Sequence, residues 1–244
     1  MAVNRDDGFL KEAIESVLQQ TYKNFEFLII MNNGPDELWN YLKGFSDPRI
    51  KLSRNIVGGL PFNLNYGVNL SQGSLIARMD ADDVCHLQRL EKQVAYFNDY
   101  TEVSVLGTGY QEINENGQTG IFYVPQVTNE KIRQEMLWTC SIVHPTVMFK
   151  KDIFLKFMGY QFSLYAEDYD LWLRMMHNPE VIFANIPESL FLYRIHGGQS
   201  SNAALIQRNF AVVLSLMMRE FFLTKNPILL CSIFKRWIWS KIKN

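Results

Sequence analysis

The segment SLIARMDADDV, residues 74–84, joins a short apolar run to three aspartates within four positions. The apolar part predicts a buried β-strand, so that Asp80, Asp82 and Asp83 follow its carboxyl end. Three carboxylates this close repel one another unless a cation lies between them or water separates them. Divalent cations such as Mg²⁺ and Mn²⁺ prefer oxygen ligands. The segment therefore predicts either a metal site at a sheet edge or a solvated turn before the next helix.

The composition is that of an ordinary globular protein. The chain has 244 residues, is 48% hydrophobic and 20% charged, and has a net charge of −1. That charge balance gives no indication of a nucleic-acid partner. No apolar run approaches the ~18–20 residues that a membrane span needs, and the first residues lack the apolar core of a signal peptide. The cysteines have no C-x-x-C spacing, so we expect reduced thiols and a cytoplasmic protein.

Strands and helices alternate along the chain on both sides of residues 74–84. The spacing predicts strands at residues 25–31, 50–54 and 74–79, with helices at 10–18, 60–70 and 87–97. This order predicts an α/β fold with a central, mostly parallel sheet flanked by helices. Ligands bind at the carboxyl ends of strands in such sheets. Asn32 and Asn33 follow another strand and should lie at the same edge as the aspartates.

The second half of the chain is less regular. VSVLGTGY, GIFYVP, PTVMF, VIFANI and LFLYRI read as strands, and TNEKIRQEMLW and EDYDLWLRMM as helices. From Asn202 the pattern is helical, with a break at Pro227.

Two further groups of residues are candidates for chemistry. Glu167 and Asp168 begin the helix EDYDLWLRMM, where acids either complement the helix dipole or include a general base; Asp170 should point elsewhere. His196, in YRIHGGQSS, and His144, in IVHPTVMF, each lie where a strand meets a loop.

SLIARMDADDV, HPTVMF, AEDYDLWLRM and YRIHGGQSS, in this order, resemble the family 2 glycosyltransferases of the GT-A fold. More narrowly, they resemble the bacterial enzymes that build surface polysaccharides. The resemblance implies an inverting, metal-dependent transfer of a sugar from a nucleotide-sugar, a UDP-sugar by expectation, to a hydroxyl of a glycan or lipid-linked acceptor. It also implies one catalytic domain at residues 1–201, with a nucleotide-sugar-binding half at 1–85, an acceptor-binding half at 86–201, and a helical tail at 202–244.

The resemblance also assigns roles to residues. Asp80 and Asp82 match the D-x-D motif, which meets the ribose and the diphosphate-bound Mn²⁺ or Mg²⁺. Asp168 matches the catalytic base. The full set is Asp168 and Glu167 for catalysis, Asn32, Asn33, Asn65, Arg78, Asp80 and Asp82 for the nucleotide-sugar, and Asp82, Asp83 and His196 for the metal.

The sequence departs from the family in two places. The first core strand is almost absent, since MAVNRDD begins where that strand would end. The next strand ends in MNNGPDE, where the family has D-D-G-S and one acid binds the base; Asn32 and Asn33 keep an acceptor but lose the charge. A truncated reading frame, a variant with altered donor recognition and an inactive sugar- or nucleotide-binding relative all remain open. We favour a glycosyltransferase whose nucleotide-base subsite is impaired or altered.

The paired carboxylates and the C-terminal tail each allow a second interpretation. A glycoside hydrolase also uses paired carboxylates, but across a cleft and without a metal or a diphosphate. The tail TKNPILLCSIFKRWIWSKIKN, residues 224–244, is aromatic and basic with no acid. It is either a helix in the membrane interface, which would place the protein at the inner face of the cell membrane, or a helix packed on the domain.

Overall fold

The computed structural model describes residues 1–161, 166–197 and 203–242, and the side chains of 203–209 and 239–242 are not described. The last part of YRIHGGQSS, residues 198–201, and Lys243 of the tail therefore lie outside the described residues. The helices are α1 (Leu10–Leu18), α2 (Asp36–Leu42), α3 (Leu60–Leu70), α4 (Arg89–Asp99), α5 (Asn129–Met136), α6 (Lys151–Lys156), α7 (Glu167–Met176), α8 (Ala203–Thr224) and α9 (Pro227–Ile242). The strands are β1 (Ala2–Val3), β2 (Phe27–Asn32), β3 (Ile50–Asn55), β4 (Leu75–Ala77), β5 (Val84–Cys85), β6 (Val103–Asn114), β7 (Thr119–Tyr123), β8 (Met148–Lys150) and β9 (Ile182–Ile195).

The first sheet is parallel and has the order β1-β2-β3. β2 is buried along most of its length, as its continuous apolar sequence predicts. The buried face of α1, which includes Leu10, Ala13 and Ile14, belongs to the same hydrophobic cluster as Ile29 and Met31 of β2. This half has the predicted α/β arrangement of a parallel sheet with helices packed on it.

The second sheet has the order β4-β8-β6-β9-β5, with β7 paired to β6. Its pairs are antiparallel except β6 with β9. The predicted α/β class is confirmed, but the mostly parallel arrangement applies to the first sheet. β4 was expected to continue that sheet, and instead it pairs with β8.

A cavity of about 600 Å³ separates the two sheets. β1 is as short as the sequence predicts, and it pairs with β2 only at Ile30 and Met31. The cavity is lined by Leu28 of β2 and by Leu75 and Ala77 of β4, so it occupies the gap where the sheets would otherwise meet. Among the described strands, β4 pairs with β8 and with no strand of the first sheet.

VIFANI and LFLYRI, predicted as two strands, form the single strand β9. Its register with β6 shifts at Gly109, where a Cβ atom would come within 2.8 Å of the carbonyl oxygens of Pro187 and Glu188. The bulge therefore depends on a glycine in the partner strand. Because that strand is distant in the sequence, the local pattern of β9 does not predict the bulge.

The C-terminal helices follow the predicted pattern, with the break at Pro227. Leu216 and Met217 of α8 and Leu229 of α9 are buried in one cluster with Tyr169 and Leu173 of α7. The tail is thus packed on the domain along one of its faces. Within the three described ranges, no helix has both the length and the apolar character that crossing a membrane would require.

Candidate active site

The carboxylates of the three aspartates in residues 74–84 lie close together in the turn after β4. One carboxylate oxygen from each of Asp80, Asp82 and Asp83 lies within 4.8 Å of the others. The turn thus brings the acids together, as the metal interpretation predicts.

Arg194, near the end of β9, fixes this turn. Its backbone N–H donates to Oδ1 of Asp83 over 2.8 Å, and its Nε donates to the Asp82 carbonyl over 2.8 Å. Oδ2 of Asp83 is buried and has no hydrogen-bond partner among the described residues. Burial also raises the pKa of Asp83 well above its usual value, with the charges of Asp80 and Asp82 adding to the effect. A divalent cation would satisfy this oxygen and relieve the repulsion, so the residues fit such an ion.

His196 reaches the same turn from the end of β9. Its Nε2 lies 3.0 Å from Oδ2 of Asp82, and its ring packs on Phe9 with ring centroids 5.1 Å apart. The structure therefore brings together the three residues predicted to bind the metal, Asp82, Asp83 and His196.

Arg78 connects the aspartate turn to the second acidic pair. Its Nη1 and Nη2 contact the two carboxylate oxygens of Asp80 at 2.8 and 2.7 Å. The same buried guanidinium opposes the burial-induced rise in the pKa of Glu167 and of Asp168. All three carboxyl groups therefore lie within the electrostatic reach of one arginine.

Glu167 and Asp168 occupy the first turn of α7. Burial, followed by the nearby charge of Asp168, raises the pKa of Glu167 to about 7. Burial also raises the pKa of Asp168, whose Oδ2 lies 3.7 Å from Sγ of Cys140. Carboxyl groups with raised pKa values are suited to accept a proton near neutral pH.

The rest of α7 anchors this pair. Leu171, Trp172 and Leu173 are fully buried. Asp170 points away from the pair, as expected, and accepts hydrogen bonds from Arg174 at 2.8 Å and Arg219 at 2.5 Å. The buried part of the helix therefore fixes the positions of Glu167 and Asp168.

His144 and Tyr160 form a buried pair beside Glu167. The His144 Nε2 lies 2.7 Å from the Tyr160 hydroxyl, and its Nδ1 lies 3.7 Å from Oε1 of Glu167. Burial, reinforced by the charge of Arg78, holds the pKa of His144 well below its usual value. A neutral imidazole and a phenol therefore complete the polar surroundings of Glu167.

Asn65 has a positioning role in the structure. Its Nδ2 donates to the Tyr160 carbonyl over 2.8 Å, and its Oδ1 accepts from the Tyr160 N–H over 3.0 Å. Because the amide bonds to Tyr160 on both sides, Asn65 holds Tyr160 in place. Its contact with the nucleotide-sugar stays a prediction.

Asn32 and Asn33 end β2, at the carboxyl edge of the first sheet. Asn32 is buried, and its Oδ1 accepts from Asn63 over 2.8 Å. Asn33 has a left-handed backbone (φ 50°), and its N–H donates to the Asn55 carbonyl over 2.7 Å. The amides thus lie at a strand end, as expected, but in the first sheet, whereas the aspartates follow β4 of the second sheet. Asn32 is held in a neutral amide–amide contact.

Sequence reasoning missed several residues of this site. Arg194 was part of a quoted motif but had no assigned role, and its contacts to the aspartate turn cross more than a hundred residues. No local pattern marks Tyr160, Cys140 or Asn63, because each reaches the site through tertiary packing.

Comparisons with known proteins agree with this geometry. Residues 1–157 match the family described as "Glycosyl transferase family 2". The O-antigen biosynthesis glycosyltransferase WbnJ of Escherichia coli is 40% identical over 225 residues, which cover 91% of this chain and 87% of that protein. The amylovoran biosynthesis glycosyltransferase AmsE of Erwinia amylovora is 32% identical over 191 residues, covering 76% of this chain and 70% of that protein.

A solved structure supports the fold. Residues 1–349 of S. aureus TarS, in complex with UDP-GlcNAc, superpose with a TM-score of 0.69 at 15% identity. The match covers 89% of this chain, which spans 64% of that structure. The expected GT-A fold is confirmed. By its sequence matches, the chain belongs to glycosyltransferase family 2.

Proposed function

We propose that the protein is an inverting, metal-dependent glycosyltransferase. It moves a sugar from a nucleotide-sugar, with a UDP-sugar as the expected donor, to a hydroxyl of a glycan or lipid-linked acceptor. The observation that carries the proposal is the link through Arg78 between the aspartate turn and the Glu167–Asp168 pair. Bacterial surface polysaccharide is the proposed product, because relatives are named for O-antigen and amylovoran synthesis.

Asp82, Asp83 and His196 are the proposed metal-binding residues, with Mn²⁺ or Mg²⁺ as the ion. The bound ion would stabilise negative charge on the departing diphosphate. Support comes from the unsatisfied Asp83 oxygen and from the convergence of the three acids. Arg78 and Asp80 lie next to these residues, and we propose that they bind the nucleotide-sugar.

Asp168 is the proposed base. It accepts the proton of the acceptor hydroxyl as the oxygen forms a bond to the anomeric carbon. The bond from that carbon to the diphosphate breaks, and attack from the opposite side inverts the configuration. Glu167 beside it would hold a proton or a charge near neutral pH, since its pKa is about 7. Positioning of the two reactants contributes the remainder of the acceleration.

Asn32 and Asn33 are proposed to contact the nucleotide base with reduced or altered selectivity. Support comes from their place at the strand ends and from the neutral contact of Asn32 with Asn63. A binding-only relative remains the second candidate, favoured by the same loss of charge.

The tail is proposed to touch a membrane surface. Its helix α9 packs through Leu229, Ser232 and Ile233, while its outer face is exposed and mostly apolar. No acid follows Glu220 in the sequence. A face of this kind with basic neighbours suits an anionic lipid surface, which would place the protein at the inner face of the cell membrane. The exposed stripe consists of Pro227, Leu230, Cys231, Phe234, Trp237 and Ile238.

The test of the enzymatic proposal is turnover of nucleotide-sugars. The full chain is incubated with a panel of UDP- and other nucleotide-sugars, with Mn²⁺ or with EDTA, and release of the nucleoside diphosphate is measured. We expect release from one donor that depends on the metal. Hydrolysis of simple glycosides without a nucleotide would instead indicate a hydrolase, and binding of donors without turnover would indicate the binding-only relative.

A further inference from the structure

A second cavity, of about 190 Å³, opens beside Asp168. Among the described residues, it shares no lining residue with the cavity between the two sheets. Because Asp168 forms part of its wall, a molecule bound there lies next to the proposed base. The remaining described walls are Thr139, Cys140, Ala166, Tyr169, Val213 and Arg236.

Arg236 is the cation of this cavity. Its Nη2 donates to the carbonyl of Trp138, which fastens α9 to the domain. Its Nε is buried and has no hydrogen-bond partner in the part of the chain that the structure describes. Within that part, no carboxylate forms an ion pair with Arg236, whereas Arg219 of α8 is paired twice. A buried N–H without an acceptor destabilises the folded protein unless a ligand provides one.

Among the other described walls, the Tyr169 hydroxyl competes with an anion for Arg236, because it accepts a hydrogen bond from that guanidinium. Burial raises the pKa of the Cys140 thiol well above its usual value, so the thiol is neutral. The hydroxyl of Tyr169 donates to the Met136 carbonyl over 2.5 Å. Ala166 and Val213 are apolar. Among its described walls, the cavity therefore holds one anionic group, Asp168, and one guanidinium whose Nε has no hydrogen-bond partner.

We propose that this cavity is the acceptor subsite, and that Arg236 binds an anionic group which the acceptor carries close to its reacting hydroxyl. The ligand chemistry is a phosphate ester or a carboxylate, both of which a guanidinium binds through its planar fork. The inference rests on the proposed function, since it takes Asp168 as the base. Arg236 sets acceptor specificity, and it takes no part in the transfer of the proton or the sugar.

The arrangement separates the two ends of the acceptor. The hydroxyl faces Asp168, gives it a proton and forms the new bond to the anomeric carbon, while the nucleoside diphosphate leaves. The anionic group lies against Arg236 on α9, whose position depends on the packing of the tail. The specificity of the acceptor subsite is therefore supplied by the C-terminal helices.

Binding to the full chain tests the proposal without requiring turnover. Titration calorimetry in EDTA, which keeps phosphate off any bound metal, compares octyl glucosyl phosphodiester, octyl glucuronide and octyl glucoside. We expect the wild type to bind at least one anionic compound about tenfold or more tightly than the neutral glucoside. The phosphodiester and the glucuronide distinguish a phosphate from a sugar carboxylate.

Two variants separate Arg236 from general charge. Arg236→Gln should lose the preference for the anion, whereas Lys235→Gln should keep it. Lys235 has the same charge on the same helix, but it is exposed and lies over the Trp138 ring. Arg236→Lys retains the charge and a donor, so it should keep part of the preference. It also controls for the loss of the contact between α9 and the Trp138 carbonyl. Thermal melts check that each variant is folded.

Equal binding of the three compounds, no binding of either anion, or equal losses in Arg236→Gln and Lys235→Gln would each overturn the proposal. Failure of the proposed function gives a different pattern. In that case the anion preference depends on Arg236, yet no nucleotide-sugar is turned over with Mn²⁺.

Discussion

Among single residues, Arg78 explains how the acidic groups of the site coexist. It contacts both carboxylate oxygens of Asp80 and lies within electrostatic reach of Glu167 and Asp168. Without this guanidinium, three partly buried carboxylates would repel one another. The aspartates of the turn and the Glu167–Asp168 pair were visible in the sequence as separate motifs. Their connection was not, because it depends on where α7 docks.

Replacement of Asp168 by Asn tests its role as the base. The amide cannot accept the proton, so we expect kcat to fall about 10²–10⁴-fold while the Kd for UDP stays the same. Steady-state kinetics with the active donor, together with UDP titration, measures both. The exposed Asp99→Asn serves as a control with the same chemical change. Undiminished kcat in Asp168→Asn would show that another group is the base.

Replacement of Glu167 by Gln tests its raised pKa through stability. Folding raises this pKa from about 4.5 to about 7, so the folded state binds the proton more tightly than the unfolded state. The free energy of unfolding contributed by this group therefore falls as pH rises through that window. Gln cannot ionise, so Glu167→Gln should have a higher Tm than the wild type at pH 8.

The expected gain in Tm is about 2–4 °C for each kcal/mol recovered in a chain of this size. It should shrink towards zero at pH 4, where the wild-type side chain is protonated in both states. Melting curves by circular dichroism across pH 4–8 measure it. A gain that is the same at every pH would show that the pKa of Glu167 is not raised.

Among the elements, α7 is the one that the sequence specified most completely. Its bounds, its buried face and the direction of Asp170, away from Glu167 and Asp168, all followed from local spacing. The pairing of Asp170 with Arg219 of α8 was not predictable, because it joins helices 49 positions apart in the chain. β9 shows the opposite case, since its continuity depends on the glycine that β6 presents to its bulge.

Removal of the Asp170 carboxylate tests how α8 is held. Asp170→Ala removes the buried carboxylate that Arg174 and Arg219 share and leaves Arg219 paired with Glu220 alone, and we expect a loss of about 3–5 kcal/mol in the free energy of unfolding. Urea denaturation gives the value. The exposed Asp152→Ala should change it by less than about 0.5 kcal/mol. A small effect in both variants would mean that other contacts hold the tail helices.

For the whole molecule, the sequence predicted the class of fold and that the three aspartates follow a strand. It did not predict the division into two sheets. That division depends on which strands pair with each other. β4 pairs with β8, which is distant in the sequence, and a cavity lies beside β4. The local sequence of a strand predicts how deeply the strand is buried. Which strands it pairs with depends on the packing of the whole molecule.

Vesicle flotation tests the proposed membrane contact of the intact chain. We expect binding to vesicles containing phosphatidylglycerol, weaker binding at high salt, and about fivefold or greater loss in the double variant Phe234→Ser, Trp237→Ser. The double variant Ile121→Ser, Phe122→Ser removes two equally exposed apolar side chains on β7 and should bind normally. Equal flotation of both double variants would rule out the outer face of α9 as the contact.

The central claim is that Asp82, Asp83 and His196 hold a divalent cation that binds the diphosphate of a nucleotide-sugar. Calorimetric titration of UDP into the full chain, with Mn²⁺ or with EDTA, tests it most directly. We expect binding at least about tenfold tighter with Mn²⁺, and loss of that gain in Asp82→Asn. UDP binding of the same strength in EDTA, or an unchanged response to Mn²⁺ in Asp82→Asn, would contradict the claim.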